Sequence, residues 1–212
     1  MDAALFDLDG TLINSERRSQ AMWAMLFDRH GVGHDRDALR GFIGRRGRDV
    51  LAERTDLFPG VAIDDLLAEV RSFHDHPGLP EVTQVPGAAD LVRRAAEYGA
   101  RIAVVTSAHP DWADKRLAEA GVSDLVLTVV SSRDVTVGKP DPEGFLLAAE
   151  RLAVEPARCV VFEDSIAGIA AAKAAGMTCV GIATTHEGSE LAEADLVVTD
   201  LTTVDWPPST IR

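Results

Sequence analysis

Short apolar runs alternate with amphipathic stretches along most of this 212-residue chain. Five runs, at residues 3–6, 101–105, 125–130, 159–162 and 178–182, have the length and β-branched content of strands buried on both faces. Helical patterns lie between them. "PGAADLVRRAAEYG" (86–99) opens on Pro-Gly and closes on a glycine, "HPDWADKRLAEAG" stops at Gly121, and "SIAGIAAAKAAG" runs from a capping Ser165 to Gly176. Strand and helix in turn predict an α/β fold built on a doubly wound parallel sheet.

Residues 15–84 break the alternation. They carry helical patterns such as "SQAMWAMLFDRHG" and "IDDLLAEVRSFHDH" but no convincing strand, and "PGLPEVTQVPG" reads as a connector back to the sheet. The chain therefore reads as a catalytic core over 1–14 and 85–212 with a helical cap inserted over 15–84. Ligand sites in open α/β sheets lie beyond the carboxyl ends of the strands, so an insert rooted there is expected to cover the site. The tail "DWPPSTIR" reads as a loosely held terminus.

Composition changes this picture in one respect. Lys and Arg number 21 against 34 Asp and Glu, a formal charge of −13, which argues against nucleic acid and anionic membranes as partners. No apolar run is long enough to span a bilayer, and the start lacks a secretory pattern, so a soluble cytoplasmic protein is expected. Cys159 and Cys179 lie inside apolar strand patterns and read as reduced core thiols. An anionic substrate requires the field to be inverted locally, by a metal and a few placed cations. Oligomeric state is not encoded in these patterns, and a monomer is compatible with them.

The residues after each strand meet that requirement. The first strand runs into Asp7-Leu8-Asp9, the second into Thr106-Ser107, the third is followed by Gly138-Lys139-Pro140, and the fourth runs into Glu163-Asp164-Ser165. Asp-Gly is ordinary turn chemistry, and a Thr-Ser pair is often only a helix cap. Taken together at equivalent topological positions, they predict a phosphate-handling edge. Asp7 is the candidate nucleophile, Asp9 the acid and base, Thr106 and Ser107 hydroxyl donors to phosphoryl oxygens, and Lys139 the stabilising cation. Asp164 and Glu163 add oxygen ligands suited to Mg2+.

"DLDGTL", "VVTSA", "GKPDPEGF" and "VFEDSIAGIAAAKAAGM" resemble the four signature motifs of the haloacid dehalogenase superfamily, in its branch with a helical cap after the first motif. The resemblance spans Asp7 to Met177 and implies a Rossmann-like core. It implies Asp7 as nucleophile, Asp9 as acid/base, Thr106 as phosphate-binding hydroxyl and Lys139 as cation. Mg2+ would be held by Asp7, the Asp9 carbonyl and Asp164, with Glu163 as ligand or behind one. An acid at Asp9 resembles the phosphate-ester branch rather than the dehalogenases or phosphonatases. The sugar phosphomutases of this branch carry a histidine where this chain has Ser19 and a cap-loop arginine where it has Gly47. The expected activity is thus Mg2+-dependent hydrolysis of a small sugar or polyol phosphate through an aspartyl-phosphate. A β-phosphoglucomutase-like mutase is the alternative; phosphoglycolate hydrolysis and a receiver-like phosphoacceptor stand behind it.

Residues 36–54 hold six arginines against three acids, centred on "GRRGRD". Arg45 and Arg46 are the expected substrate-binding residues of the cap, exposed in a glycine-flanked loop. Met22 and Trp23 follow the apolar stripe of the first cap helix and read as core. His74 and His76 have the spacing of a metal pair but no third ligand, and read as a solvated loop.

Overall fold

The computed structural model describes residues 1–208; Ser209–Arg212, the end of the tail expected to be loose, lie outside the described residues. In chain order the elements begin with β1 (Ala3–Phe6), β2 (Ile13–Asn14), α1 (Glu16–Arg29), α2 (Arg36–Arg40), α3 (Gly47–Ala52), α4 (Ile63–Ser72) and β3 (Thr83–Gln84). They continue with α5 (Ala88–Glu97), β4 (Arg101–Val105), α6 (Pro110–Ala120), β5 (Val126–Val130) and α7 (Glu143–Leu152). The chain then forms β6 (Cys159–Glu163), α8 (Ile166–Ala174), β7 (Thr178–Ile182) and β8 (Leu196–Val198).

Six strands form one sheet in the order β5-β4-β1-β6-β7-β8, and every pairing in it is parallel. All five expected strands are present. β1 lies inside the sheet, with Leu5 opposite Ala103 on one side and Val161 on the other. Side chains alternate between faces, as the pleat requires. Ala4, Phe6, Val104 and Phe162 pack with Leu91, Val92 and Leu117 of α5 and α6, and the Phe6 and Phe162 rings stack at 4.7 Å. Ala3, Leu5, Ala103 and Val161 pack on the opposite face against Phe145, Leu152, Ile169 and Ala172 of α7 and α8. Burial on both faces explains why these strands are unbroken apolar runs.

Helices α1 to α4 enclose a third cluster, including Met22, Leu26, Phe27, Phe42, Val50, Leu66 and Val70, which shares no member with the other two. Trp23 belongs to it and stacks on Phe42 at 4.0 Å, so the expectation of core packing for Met22 and Trp23 agrees with their burial.

Three features depart from the sequence reading. β8 adds a sixth strand, and β2 pairs antiparallel with β3 at the root of the insert. Strands of three and two residues are too short to display a period. The tail segment is not loose up to residue 208, because Trp206 and Val204 are buried in the cluster that holds Phe162. A large indole packed there outweighs the turn-like composition of "DWPP". Among the described residues, no helix is long and apolar enough to cross a membrane.

Candidate active site

The carboxyl ends of β1, β4 and β6 and the loop after β5 bring the four polar segments together under the helical insert. The Asp7 amide continues the ladder by donating to the Phe162 carbonyl at 2.9 Å, which holds its side chain at the mouth of the sheet. Lys139, 6% exposed, reaches it from the β5–α7 loop. Its Nζ donates to Asp7 Oδ1 at 2.5 Å, to Glu163 Oε2 at 2.7 Å and to the Val105 carbonyl at 3.1 Å. All three ammonium donors are thereby used. Burial disfavours the ammonium, but the charges of Asp7 and Glu163 more than reverse this and hold the Lys139 pKa above its ordinary value. Burial pushes the Asp7 carboxyl well above the usual range, the Glu163 charge adds to the rise, and Lys139 opposes it.

Glu163 is fully buried, and its other oxygen, Oε1, accepts from the amides of Asp164 and Ser165 and from the Ser165 hydroxyl. Both oxygens therefore have partners within the protein, and the side chain ties Lys139 to the β6–α8 turn. Ser165 in turn caps α8 by accepting from the Gly168 amide at 3.0 Å. A side chain at residue 168 would fall on the Glu163 carboxylate, which is why glycine stands there.

Asp164 presents a different picture. Thr11 Oγ1 lies 3.5 Å from its Oδ1, while Oδ2 is buried without a hydrogen-bond partner. Asp7, Glu163 and Asp164 each offer one oxygen within 4.8 Å of the others. Burial, then the charges of Glu163 and Glu16, push the Asp164 carboxyl well above its usual range. An orphaned carboxylate oxygen among hard oxygen donors fits a divalent cation of the Mg2+ type. Gly10 makes the approach possible: its φ is +90°, and any Cβ would fall on the Asp164 carboxylate.

Asp9 is half-buried, and its Oδ1 accepts from Ser15 Oγ at 2.5 Å and from Trp112 Nε1 at 3.0 Å. Burial raises its pKa, and these two donors pull in the opposite direction. Asp7, Asp9, Thr106 and Ser107 all line a cavity of about 370 Å3 between sheet edge and cap. Thr106 Oγ1 accepts from the Ala108 amide at 3.0 Å, so its hydrogen can be donated elsewhere. Ser107 Oγ instead donates to the Gly44 carbonyl of the cap at 2.9 Å.

The two cap arginines differ from each other, and Arg46 departs from the expected exposure. Arg45 lines the cavity and pairs through its guanidinium with Glu53, with Nη1 at 3.0 Å from Oε2. Arg46 is not exposed: only 7% of its surface is accessible, and it is bound to Asp49 and to carbonyls of the β5–α7 loop. His74 also departs from a solvated loop. It packs on the Trp112 ring at 4.8 Å, and burial, then the Arg18 charge, lower its pKa. His76 is exposed.

Sequence reasoning missed Glu16 and Trp112. Glu16 opens α1, where an acid is ordinary dipole chemistry, yet it is buried in the cavity wall. Its carboxyl is pushed well above the usual range by burial and then by the charges of Asp9 and Asp7. The helical position of Trp112 gives no sign that its indole reaches Asp9.

Comparison with known proteins agrees with this geometry. The family model for haloacid dehalogenase-like hydrolases matches residues 1–176. The validoxylamine A 7'-phosphate phosphatase of Streptomyces hygroscopicus subsp. limoneus is 46% identical over 204 residues, covering 96% of both chains. Hexitol phosphatase A of Escherichia coli is 33% identical, covering 93% of this chain and 90% of its own. The crystal structure of CbbY from Rhodobacter sphaeroides in complex with phosphate superposes with a TM-score of 0.80 at 27% identity, covering 96% of each chain. The chain belongs to the haloacid dehalogenase-like hydrolases.

Proposed function

We propose that this phosphoric monoester hydrolase is a Mg2+-dependent phosphatase that cleaves a small sugar or polyol phosphate through an aspartyl-phosphate on Asp7. The observation that carries this reading is the shared cavity of Asp7 and Asp9, with Lys139 clamped to Asp7 at 2.5 Å. The substrate class is supported by the phosphatases that this chain resembles, named for validoxylamine A 7'-phosphate and for hexitols.

In the first step an Asp7 oxygen bonds to phosphorus while the bond from phosphorus to the ester oxygen breaks. Asp9 gives its proton to the departing alkoxide, which leaves as an alcohol. The elevated Asp9 pKa favours a protonated acid at the start. In the second step water attacks phosphorus, its proton passes to the Asp9 carboxylate, and the bond to Asp7 breaks to release orthophosphate. Lys139 offsets the negative charge of Asp7 and of the incoming phosphoryl group, and the Thr106 hydroxyl donates to a phosphoryl oxygen. Asp7 and Asp164, with the Asp9 carbonyl, would hold Mg2+, which when bound neutralises phosphoryl charge and orients the group. The core over 1–14 and 85–212 supplies this chemistry, and the cap over 15–84 closes the cavity on the leaving group.

A mutase is disfavoured by the cap loop. Gly47 stands where the sugar phosphomutases carry an arginine; it lies under the Trp23 ring, and a Cβ there would meet that ring at 2.6 Å, so a side chain at this position would require the ring to move. The receiver-like reading falls with membership of a hydrolase family.

The test is orthophosphate release from a panel of hexose, hexitol and other polyol phosphates, with Mg2+ and with EDTA. Release that needs Mg2+ and disappears in Asp7→Asn is expected. Absence of release from every ester, or a fully active Asp7→Asn, overturns the reading.

A further inference from the structure

Lys139 is held at both ends of its reach. Its ammonium is fixed by Asp7 and Glu163, and the segment just before it, residues 135–138, is gripped by the cap. Arg46 Nε and Nη2 form a fork with the Asp49 carboxylate, both at 2.8 Å. The same guanidinium donates through Nη1 to the Val135 carbonyl at 2.7 Å and through Nη2 to the Thr136 carbonyl at 2.6 Å. Asp49 Oδ2 also accepts from the Gly138 amide at 3.2 Å. From the core side, Glu143 accepts from the amides of Thr136 and Val137, each at 2.8 Å. Gly138 has no room for a side chain, since a Cβ would lie 2.7 Å from both Arg46 Nε and Asp49 Oδ2.

We infer that the Arg46–Asp49 fork is a positioning device through which the seated cap fixes the loop that carries Lys139, so that the site is complete only while the cap is closed. The inference rests on the reading of Lys139 given above. Charged hydrogen bonds in a bidentate planar fork impose direction as well as attraction, which a lysine at residue 46 cannot reproduce. The fork and the Gly138 amide engage only when cap and core meet, so opening the cap leaves three polar groups of the loop, the carbonyls of residues 135 and 136 and the amide of 138, without those partners. One arginine and one acid of the cap segment are then accounted for without any substrate, while the excess of arginines over acids in the rest of the segment is unchanged.

The test measures kcat and KM of Arg46→Ala, Arg46→Lys, Asp49→Ala and the double alanine variant, with a hexose phosphate and with acetyl phosphate. Because Lys139 acts on the phosphoryl group that both substrates share, kcat should fall by the same factor for both, roughly ten- to a hundredfold. KM should move much less than kcat. Arg46→Lys should not restore the rate. The double variant should be no slower than either single alanine variant, as residues acting as one unit behave. Deuterium exchange at the Gly138 amide should speed in each. A loss confined to the hexose phosphate makes Arg46 a substrate contact and overturns the inference, as does an unchanged kcat or an additive double variant. Gly138→Ala provides the same test from the core side if the cap variants fail to fold, because its methyl obstructs the fork without removing a cap residue. Asp7→Asn separates the two readings: if it stays active, the proposed chemistry fails, whereas an inactive Asp7→Asn beside a normal Arg46→Ala sinks only the fork.

Discussion

Replacing Lys139 by Met should destabilise the metal-free protein by an amount set by two buried acids. Met preserves the length of the stem and its packing on the Phe145 ring, over which the ammonium now sits at 5.2 Å. What is removed is the cation between Asp7 and Glu163, together with contacts of 2.5, 2.7 and 3.1 Å. Breaking a buried pair while its partners remain costs about 3–5 kcal/mol. For a chain of this size about 2–4 °C is lost per kcal/mol, so the melting temperature in EDTA at pH 7.5 should fall by roughly 6–20 °C. The pH dependence separates charge from packing. Asp7 already titrates above its unfolded value, with Lys139 opposing the rise, and loss of the lysine raises it further. Between the unfolded and folded values the native state binds more protons, so stability falls as pH rises across that window, and the variant has the wider window. The gap between variant and wild type should therefore narrow at pH 5. Thermal melts followed by circular dichroism at the two pH values decide it. A variant as stable as wild type at pH 7.5, or a gap equal at both pH values, would refute the reasoning.

Asp9→Asn should fold normally and lose roughly two to four powers of ten in turnover of an alkyl phosphate. In single-turnover experiments the first-step loss should be smaller for p-nitrophenyl phosphate, whose leaving group needs little protonation. EDTA should stop orthophosphate release, and Mg2+ at a hundred times its Kd should stabilise the protein by about 2.7 kcal/mol in thermal melts. Arg45→Ala should lower kcat/KM for a hexose phosphate more than for acetyl phosphate, since only the larger ester extends to the cap; equal losses would return Arg45 to its ion pair with Glu53. His74, whose pKa is lowered from 6.5, makes the unfolded chain bind more protons between the lowered value and 6.5. Stability should thus rise with pH across that interval, and His74→Phe should flatten the rise in melts from pH 5 to pH 7.

The core was legible because its elements announce themselves locally. Four or five consecutive apolar residues suffice for a strand buried on both faces, and the segments after the strands must display polar atoms in fixed order. The convergence of Asp7, Asp9, Thr106, Lys139, Glu163 and Asp164 on one edge follows from that order. Local pattern could not supply what depends on docking. Arg46 and Arg45 are neighbours with the same side chain and the same flanking glycines, and both border the cavity, yet one is buried against the β5–α7 loop and the other pairs with Glu53 within the cap. Nothing in "GRRGRD" separates them, because the difference lies in residues 135–138, about ninety positions further on. Glu16 and Trp206 were obscured for a related reason: each has an ordinary local explanation, a helix-start acid and a proline-rich end, that conceals its burial.

The placement of the cap bears on all four polar segments at once. Ser15, at the start of α1, holds Asp9 through Oδ1; the Gly44 carbonyl accepts from Ser107 beside Thr106; the Arg46–Asp49 fork grips the approach to Lys139. Gly44, at φ +70°, also lies so close to Ser165 that any Cβ would fall on its hydroxyl, which places the cap against the turn that follows Asp164. Apart from the buried Arg46 guanidinium, these contacts are made by main chain or short side chains, which have little freedom to follow a cap that shifts by an ångström or two. A sheet edge this acidic gains from such an arrangement. With the cap seated, water is displaced and the attraction of Lys139 for Asp7 and for an incoming phosphoryl group is strengthened by the lower local dielectric. With the cap open, water screens the same charges, and the repulsion among Asp7, Glu163 and Asp164 that raises their cost in the closed state is relieved. Closure over an anionic phosphoryl group is therefore favoured only when enough positive charge, Lys139 together with a bound cation, shares the cavity, which ties the strength of the cap–core contacts to the charge of the contents as well as to the apolar area buried between them.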